Sequence, residues 1–404
     1  MREFGSEAEL AKCDIQSAFR LLPVHPLDFS LLGIQFDDYL FVDKVLPMGC
    51  SVSCKLFETF STFLQWLFVT KSGYEGVLHY LDDFLFVGHA GTGECAKALA
   101  CFQDVAEELG VPLAPEKTEG PSTTLTFLGI ELDSVAMEAR LPRQKLQEIT
   151  KLLQEALEAE KWPLRRVQQL LGHLNFACKV VKVGRSFCRS LGFAMSGTKL
   201  PHHRVRLSAV LKADLEMWLL FLKNFNGVTL WSLDLDFDWS VQIYSDAAGA
   251  VDFGLFWDGK WCSEKWPESW LREGRSIAFL EFFPLLVALN LWHRHFSNRS
   301  VTFHVDNSTV VALVNGQRAK DKKLLKLLQR FMLGCLMFNI VFRARHVPGV
   351  DNNIADALSH SQWQRFCGLA PRADQEKTED PAEVWNKITE KAKTGSKIFG
   401  GFYK

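Results

Sequence analysis

No run of eighteen apolar residues occurs in the chain, so a membrane-spanning helix is not expected. The first residues, MREFGSEAEL, lack the apolar centre of a secretory leader. Ten cysteines are present, but none form a CxxC pair or zinc-type spacing. They read as free thiols in a reducing compartment rather than as a disulfide framework or metal knuckle. Net charge is small, at −1, so the chain as a whole is not a basic nucleic-acid binder. Composition is also unbiased: 48% hydrophobic and 23% charged residues describe an ordinary globular protein. A length of 404 residues bounds it to two or three domains of roughly 100–200 residues each.

What is present starts with charge between apolar runs. Residues 78–87 read LHYLDDFLFV, with Asp82 and Asp83 side by side among strand-forming residues. Their position predicts a two-residue hairpin turn made by the two aspartates. A solvated Asp-Asp turn is the plain reading. A divalent cation held by hard oxygen ligands is the alternative, because it removes the repulsion of adjacent acids.

Upstream, in KCDIQSAFRLLPVHP, Cys13 to Ile15 reads as the end of a strand carrying Asp14, and Gln16 to Leu22 as the start of a helix. Asp14 is either a helix cap or a ligand at a strand end. Residues 31–46 alternate around Asp37-Asp38, a hairpin pattern. LPMG then punctuates before a long apolar helix from about Val52, with Gly49 permitting close backbone approach. A helix from Glu94 ends at Gly110. Lys117 follows in a Pro/Gly-bounded loop, where a lysine is ordinarily solvated, and Leu125 to Leu132 reads as a strand.

Between Leu141 and Leu230, 15 Lys and Arg stand against 6 Asp and Glu. Three amphipathic helices are expected there, near 143–160, from Trp162-Pro163, and near 207–225. The excess could neutralise phosphates or be a solvated face on a helical spacer.

A second pattern begins at Ser240. VQIYSDAAG is a strand ending in Asp246, and VDFGLFWDGKW a hairpin turning at Asp258-Gly259. Ile277 to Phe296 is helical and carries Glu281. VTFHVDNS ends a strand at Asp306, Lys322 to Phe338 is helical, and IVFRARHVPGVDNNIADALSH gives a strand, a loop and a helix with Asp356. Each acid alone is a cap or turn residue. Four facing one pocket would need cations, and two Mg2+ ions would suit in-line phosphodiester hydrolysis.

The ordered segments DIQSAF, LPMG, YLDD, PEKTEG and FLGIEL resemble the palm of a reverse transcriptase. The wider phrasing, with LPMGCSVSCKLFE and HYLDDFLFVG, resembles DIRS-like retrotransposons, which carry a tyrosine recombinase. The resemblance implies that Asp14 and Asp82, with Asp83 as a less direct acid, hold two Mg2+ ions. It implies that Phe19 excludes a ribose 2′-hydroxyl, that Gly49 lies beside the incoming nucleotide, and that Lys117 protonates pyrophosphate. It makes Phe127, Leu128 and Gly129 the primer grip.

The second half resembles a ribonuclease H, with Asp246, Glu281, Asp306 and Asp356 as its four acids. His360 stands where related elements have arginine after ADALS and is expected on the outer side of its helix; His346 is expected to order a loop. These resemblances imply an α/β (α+β) multidomain chain. Its expected parts are a palm at 1–139, a helical thumb and connection at 140–232, a ribonuclease H-like domain with a mixed five-stranded sheet at 240–365, and a mobile tail at 371–404. Only thirteen residues precede Asp14, so most of the fingers are expected to be missing, in a piece of a longer polyprotein. Polymerase activity would suffer and hybrid cleavage would persist, with Mg2+, or Mn2+, as cofactor. Expected partners are RNA–DNA hybrid, primer–template and, for polymerisation, dNTPs, with no membrane. A non-catalytic nucleic-acid-binding relic is the competing reading.

Overall fold

The computed structural model describes residues 3–198, 200–224, 226–229, 241–249 and 251–378. The chain divides into two compact units, Met1–Arg143 with Gly227–Leu233, and Gln144–Asn226 with Asp234–Lys404. Together they form a mixed α/β, multidomain protein.

The first unit opens with β1 (Glu9–Asp14) and the hairpin β2 (Gly33–Phe36) and β3 (Tyr39–Val42). Helix α1 (Ser53–Ser72), strands β4 (Val77–Tyr80) and β5 (Asp83–Gly88), and helix α2 (Glu94–Glu108) follow. Strands β6 (Glu119–Ser122), β7 (Thr124–Phe127), β8 (Ile130–Asp133) and β9 (Glu138–Arg140) complete the run. The central sheet has the order β4-β5-β1-β6. Its period-two pattern divides the residues between two faces. Ala11, Cys13, Phe84 and Phe86 pack with Phe57, Leu64 and Phe68 of α1 and Leu99 and Phe102 of α2. The alternate residues Leu10, Leu85 and Val87 meet Leu125, Phe127 and Leu132 on the other face.

Two expectations change here. Leu125 to Leu132 is not one strand: Leu128 (φ 48°) and Gly129 (φ 74°) turn the chain between β7 and β8. Two consecutive positive φ values are what a tight hairpin requires, and the glycine adopts one without a Cβ penalty. The helix expected from Gln16 is one short 3-10 turn, Ala18–Leu21, entered through Ser17 at φ 64°.

The second unit starts with α3 (Arg143–Glu158), β10 (Lys161–Pro163), α4 (Leu164–Ala177) and α5 (Arg189–Met195). Trp162-Pro163 thus pairs in a strand before the helix rather than starting it. β11 (Arg204–Arg206) and α6 (Ala209–Asn224) follow, and β12 (Val228–Thr229) pairs with β9 in the first unit's second sheet. The remainder comprises β13 (Val241–Ala247), β14 (Asp252–Trp257), β15 (Lys260–Lys265), α7 (Glu268–Arg272) and α8 (Ile277–Phe296). Then come β16 (Ser300–Val305), α9 (Ser308–Gly316), α10 (Lys322–Met337), β17 (Val341–His346), α11 (Asn353–Ser359) and α12 (Trp363–Leu369). The five-stranded sheet has the order β15-β14-β13-β16-β17. β13, β14 and β15 are antiparallel neighbours, whereas β13, β16 and β17 run parallel.

Helix α8 is long and apolar enough by composition to cross a membrane, yet 67% of that stretch is buried inside the protein. Phe282, Phe283, Leu285 and Leu289 are fully enclosed, which identifies it as a core helix. The first residues of the expected mobile tail are also ordered. Asp374 N donates to Gly259 O (2.9 Å), Thr378 N to Trp261 O (2.9 Å), and Trp261 Nε1 to Asp374 O (2.8 Å), so residues 371–378 run beside β15. The rest of that expectation, 379–404, lies outside the described residues.

One glycine decides how α11 seats. Gly254 of β14 is paired with Asp246 of β13. A Cβ there would lie 2.4 Å from the Ala355 carbonyl oxygen and 2.6 Å from Leu358 Cβ, both on α11. We expect Gly254→Ala to destabilise the protein by about 1–3 kcal/mol, because packed backbone cannot retreat. Gly172→Ala, in α4 with open space around its Cβ, should instead be neutral or stabilise by about 0.5–1 kcal/mol. Urea unfolding midpoints of the two variants check this; equal effects would contradict the close seating of α11.

Candidate functional site

Each unit gathers carboxylates at the ends of its central strands. In the first, Asp14 ends β1 and Asp83 begins β5, and the two residues are directly paired. Paired residues project to the same side of a sheet. The register therefore aligns both acids with the Lys12–Leu85 and Leu10–Val87 pairs. Asp82 sits in the preceding turn with Leu81 (φ 54°), and Tyr80 pairs with Asp83. The expected Asp-Asp turn is thus shifted by one residue, with Asp83 already in the strand. Two hydrogen bonds hold the corner: Ile15 N donates to Asp82 O (3.0 Å), and Leu81 N donates to the Glu58 side-chain Oε2 (3.2 Å).

Lys117 is not a merely solvated lysine. Its Nζ donates to both oxygens of the buried Asp14, at 2.9 and 3.0 Å. That bond holds the ammonium pKa above its usual value. Burial, then the Asp82 and Asp14 charges, push the Asp83 carboxyl up. Burial, then Asp14 and Asp83, push the Cys13 thiol up to about 12. The remaining predicted residues lie elsewhere in the unit. Phe19 packs edge-on against Phe57 with ring centres 5.3 Å apart. Gly49 is exposed before α1 at φ 88°. Phe127, Leu128 and Gly129 form the β7–β8 turn, with Phe127 against the Leu10–Val87 face.

In the second unit the four predicted acids converge. Oxygens of Asp246, Glu281 and Asp306 all lie within 4.8 Å of one another. Ligating atoms of Asp246, Asp356 and His360 do the same. Asp246 belongs to both groups. Local structure explains the convergence. Asp246 lies near the end of β13, and Asp306 directly follows the parallel β16. Asn307 then caps α9, its Oδ1 accepting from Thr309 N (3.0 Å) and Val310 N (3.2 Å), which fixes the chain's exit. Asn352 Nδ2 donates to Ser245 O (2.9 Å), tying the start of α11 to β13.

Other side chains orient the carboxylates. Ser359 Oγ donates to Asp246 Oδ2. Arg365 of α12 donates from Nη1 to Asp356 Oδ2 and from Nη2 to Asn353 Oδ1 (3.0 Å). Glu281 projects from α8 and is only 5% exposed; its Oε2 is buried with no hydrogen-bond partner. Burial, then Asp306 and Asp246, push the Glu281 carboxyl up to about 9. Asp246 is pushed up as well, chiefly by burial and then by Asp306 and Asp356, against the Ser359 bond. An orphaned buried carboxylate oxygen among oxygen donors fits a hard divalent cation.

His360 is exposed, as expected for the outer side of its helix, yet it borders the acids. Its Nδ1 lies 3.4 Å from Asp356 Oδ1, and one ring nitrogen reaches the Asp246 carboxylate within the 4.8 Å group. The signal in the sequence was its i,i+4 spacing from Asp356, which puts both on one helix face. His346 pairs with Val305 at the end of β17 and is exposed.

Comparison with known proteins agrees with this division. Residues 2–132 match the family described as Reverse transcriptase (RNA-dependent DNA polymerase). Protein P of duck hepatitis B virus is 27% identical over 177 residues, 42% of this chain and 21% of that protein. The Gag-Pro-Pol polyprotein of Human T-cell leukemia virus 3 is 27% identical over 169 residues, 41% of this chain and 11% of that polyprotein. The chain therefore spans a small part of the curated relatives it matches. A solved structure of the foamy viral protease-reverse transcriptase with RNA/DNA hybrid superposes with TM-score 0.50 and 16% identity, covering 83% of this chain and 44% of that one. Residues 2–132 of the first unit thus resemble a reverse-transcriptase domain, and the likeness in fold extends beyond them.

The raised Glu281 pKa makes stability depend on pH. The unfolded chain loses this proton near 4.5, whereas the folded cation-free protein keeps it until about 9. Stability should therefore fall as pH rises between those values. Urea midpoints measured in chelator across that range should decline in the wild type and decline less in Glu281→Gln. An identical slope in both would show that Glu281 does not carry the effect.

Proposed function

We propose that the protein is a retroelement-derived reverse transcriptase–ribonuclease H whose second unit cleaves RNA in RNA–DNA hybrids with Mg2+. The observation that carries this reading is the sharing of Asp246 between two ion-sized groups of ligands, beside a buried Glu281 oxygen without a partner. Asp246, Glu281, Asp306 and Asp356 would hold two divalent cations. Bound there, the cations would supply an activated water and stabilise the departing 3′-oxygen of an in-line displacement. The chain's own residues keep the geometry. Ser359 orients Asp246, Arg365 orients Asp356, and the Asn307 cap holds Asp306 at its strand end. Glu281, which otherwise retains its proton, would release it on holding a cation.

Under this reading the chain is organised as a palm (1–139), a basic helical thumb and connection (140–232) and a nuclease domain (240–365). The sequence phrasing supports placing it with the DIRS-like elements. RNA–DNA hybrid and primer–template are its partners, with dNTPs if nucleotides are added at Asp14, Asp82 and Asp83. Addition there requires Lys117 to release Asp14, since both oxygens are engaged by its ammonium. We therefore expect hybrid cleavage to be the stronger activity.

A labelled RNA–DNA hybrid incubated with the purified full chain and Mg2+ tests this. Wild type should cut the RNA strand, and Asp306→Asn should lose at least about a hundredfold, the scale of removing one electrostatic group at a reacting centre. Equal cutting by the variant, or none by wild type, would overturn the reading. Hybrid binding without cutting, steeply weakened by salt, would favour a non-catalytic binder instead.

A further inference from the structure

The two ligand groups around Asp246 differ in chemistry. Asp246, Glu281 and Asp306 offer only carboxylate oxygens. Asp246, Asp356 and His360 add an imidazole nitrogen. This inference rests on the two-cation reading above and concerns which ion the second position takes.

Side-chain contacts hold the mixed group in place. Ser359 Oγ is bonded to Asp246 Oδ2, and Arg365 engages Asp356 Oδ2, so Asp356 Oδ1 is the oxygen nearer the imidazole, at 3.4 Å. The ring itself is fixed at the end of α11, with Nδ1 3.0 Å from the Asp356 carbonyl oxygen and 3.1 Å from Ser359 Oγ. Outer contacts of this kind orient ligands and set metal affinity. The unpartnered Glu281 oxygen, buried in the adjoining group, independently marks the constellation as built for cations. Imidazole suits transition ions such as Zn2+, Fe2+ and Ni2+, whereas sites of oxygen alone suit Mg2+ and Mn2+ alike.

We infer that His360 ligates a divalent transition ion together with Asp246 and Asp356, beside an all-oxygen position that takes Mg2+. His360→Arg would put a cation where this chain has a nitrogen donor. The two positions should then differ in metal preference within one nuclease centre.

Mn2+ alone is the probe. Pulsed electron paramagnetic resonance of the full chain loaded with Mn2+ should show nitrogen coupling of an imidazole ligand. That coupling should vanish in His360→Ala and in His360→Arg. Titration calorimetry should show the mixed position weakened at least about tenfold in His360→Ala, the scale on which lost ligand-sphere contacts act, with the other position unchanged. Circular dichroism of each variant confirms folding. In Asp306→Asn the nitrogen coupling should persist, because Asp306 belongs to the other group. Oxygen-only coupling in wild type, or the same nitrogen signal in His360→Ala, would overturn the inference. Hybrid cleavage assayed in parallel separates the two claims. Cleavage with oxygen-only coupling removes His360 and leaves the nuclease standing. Nitrogen coupling without cleavage keeps the ion site and removes the nuclease.

Discussion

Negative charge packed at the ends of central strands is the constraint on which the architecture turns. Asp246 is 6% exposed and has acids on two sides, Glu281 and Asp306 in one group and Asp356 in the other. Burial alone disfavours an ionised carboxylate, and each further acid adds repulsion. Hydrogen bonds from Ser359 and Arg365 offset part of this cost. They leave Glu281 without a partner at one oxygen. Such a group either keeps a proton or meets a cation. The seating of α11 on Gly254, the Asn307 cap and the Asn352 tie to β13 all serve to hold that arrangement.

The first unit meets the same constraint differently. Asp14 and Asp83 face each other across β1 and β5, a register in which like charges destabilise a sheet. Here the compensating charge is part of the chain, since the Lys117 ammonium spans both oxygens of Asp14. Asp14 is therefore compensated within the chain, whereas Glu281 is left to protons or ions. That difference is the physical basis for ranking the two activities.

Much of this was legible in the sequence because acids at strand ends leave a simple mark. The alternation around Asp82 and Asp83, the Asp258-Gly259 turn and helix 277–296 all follow from period and turn chemistry. What was missed depends on tertiary partners. Leu128-Gly129 lies inside an apolar run, so the turn is hidden by hydrophobicity on both sides. Lys117 reads as solvated because its partner is 103 residues away. His360 reads as an outer residue until Asp246 is brought to the same helix by the β13–β14–α11 packing. The ordered residues 371–378 bond to the β15 hairpin through backbone groups, which composition does not report.

The central claim is that the second unit is shaped around two divalent cations that share Asp246. A crystal grown with Mn2+, with anomalous scattering recorded, tests it most directly. The expected map has two peaks about 4 Å apart, as in two-metal centres, both in contact with Asp246, one also on Glu281 and Asp306 and one on Asp356. A map with no peak at Asp246, or with ions only at exposed acids elsewhere, would contradict it.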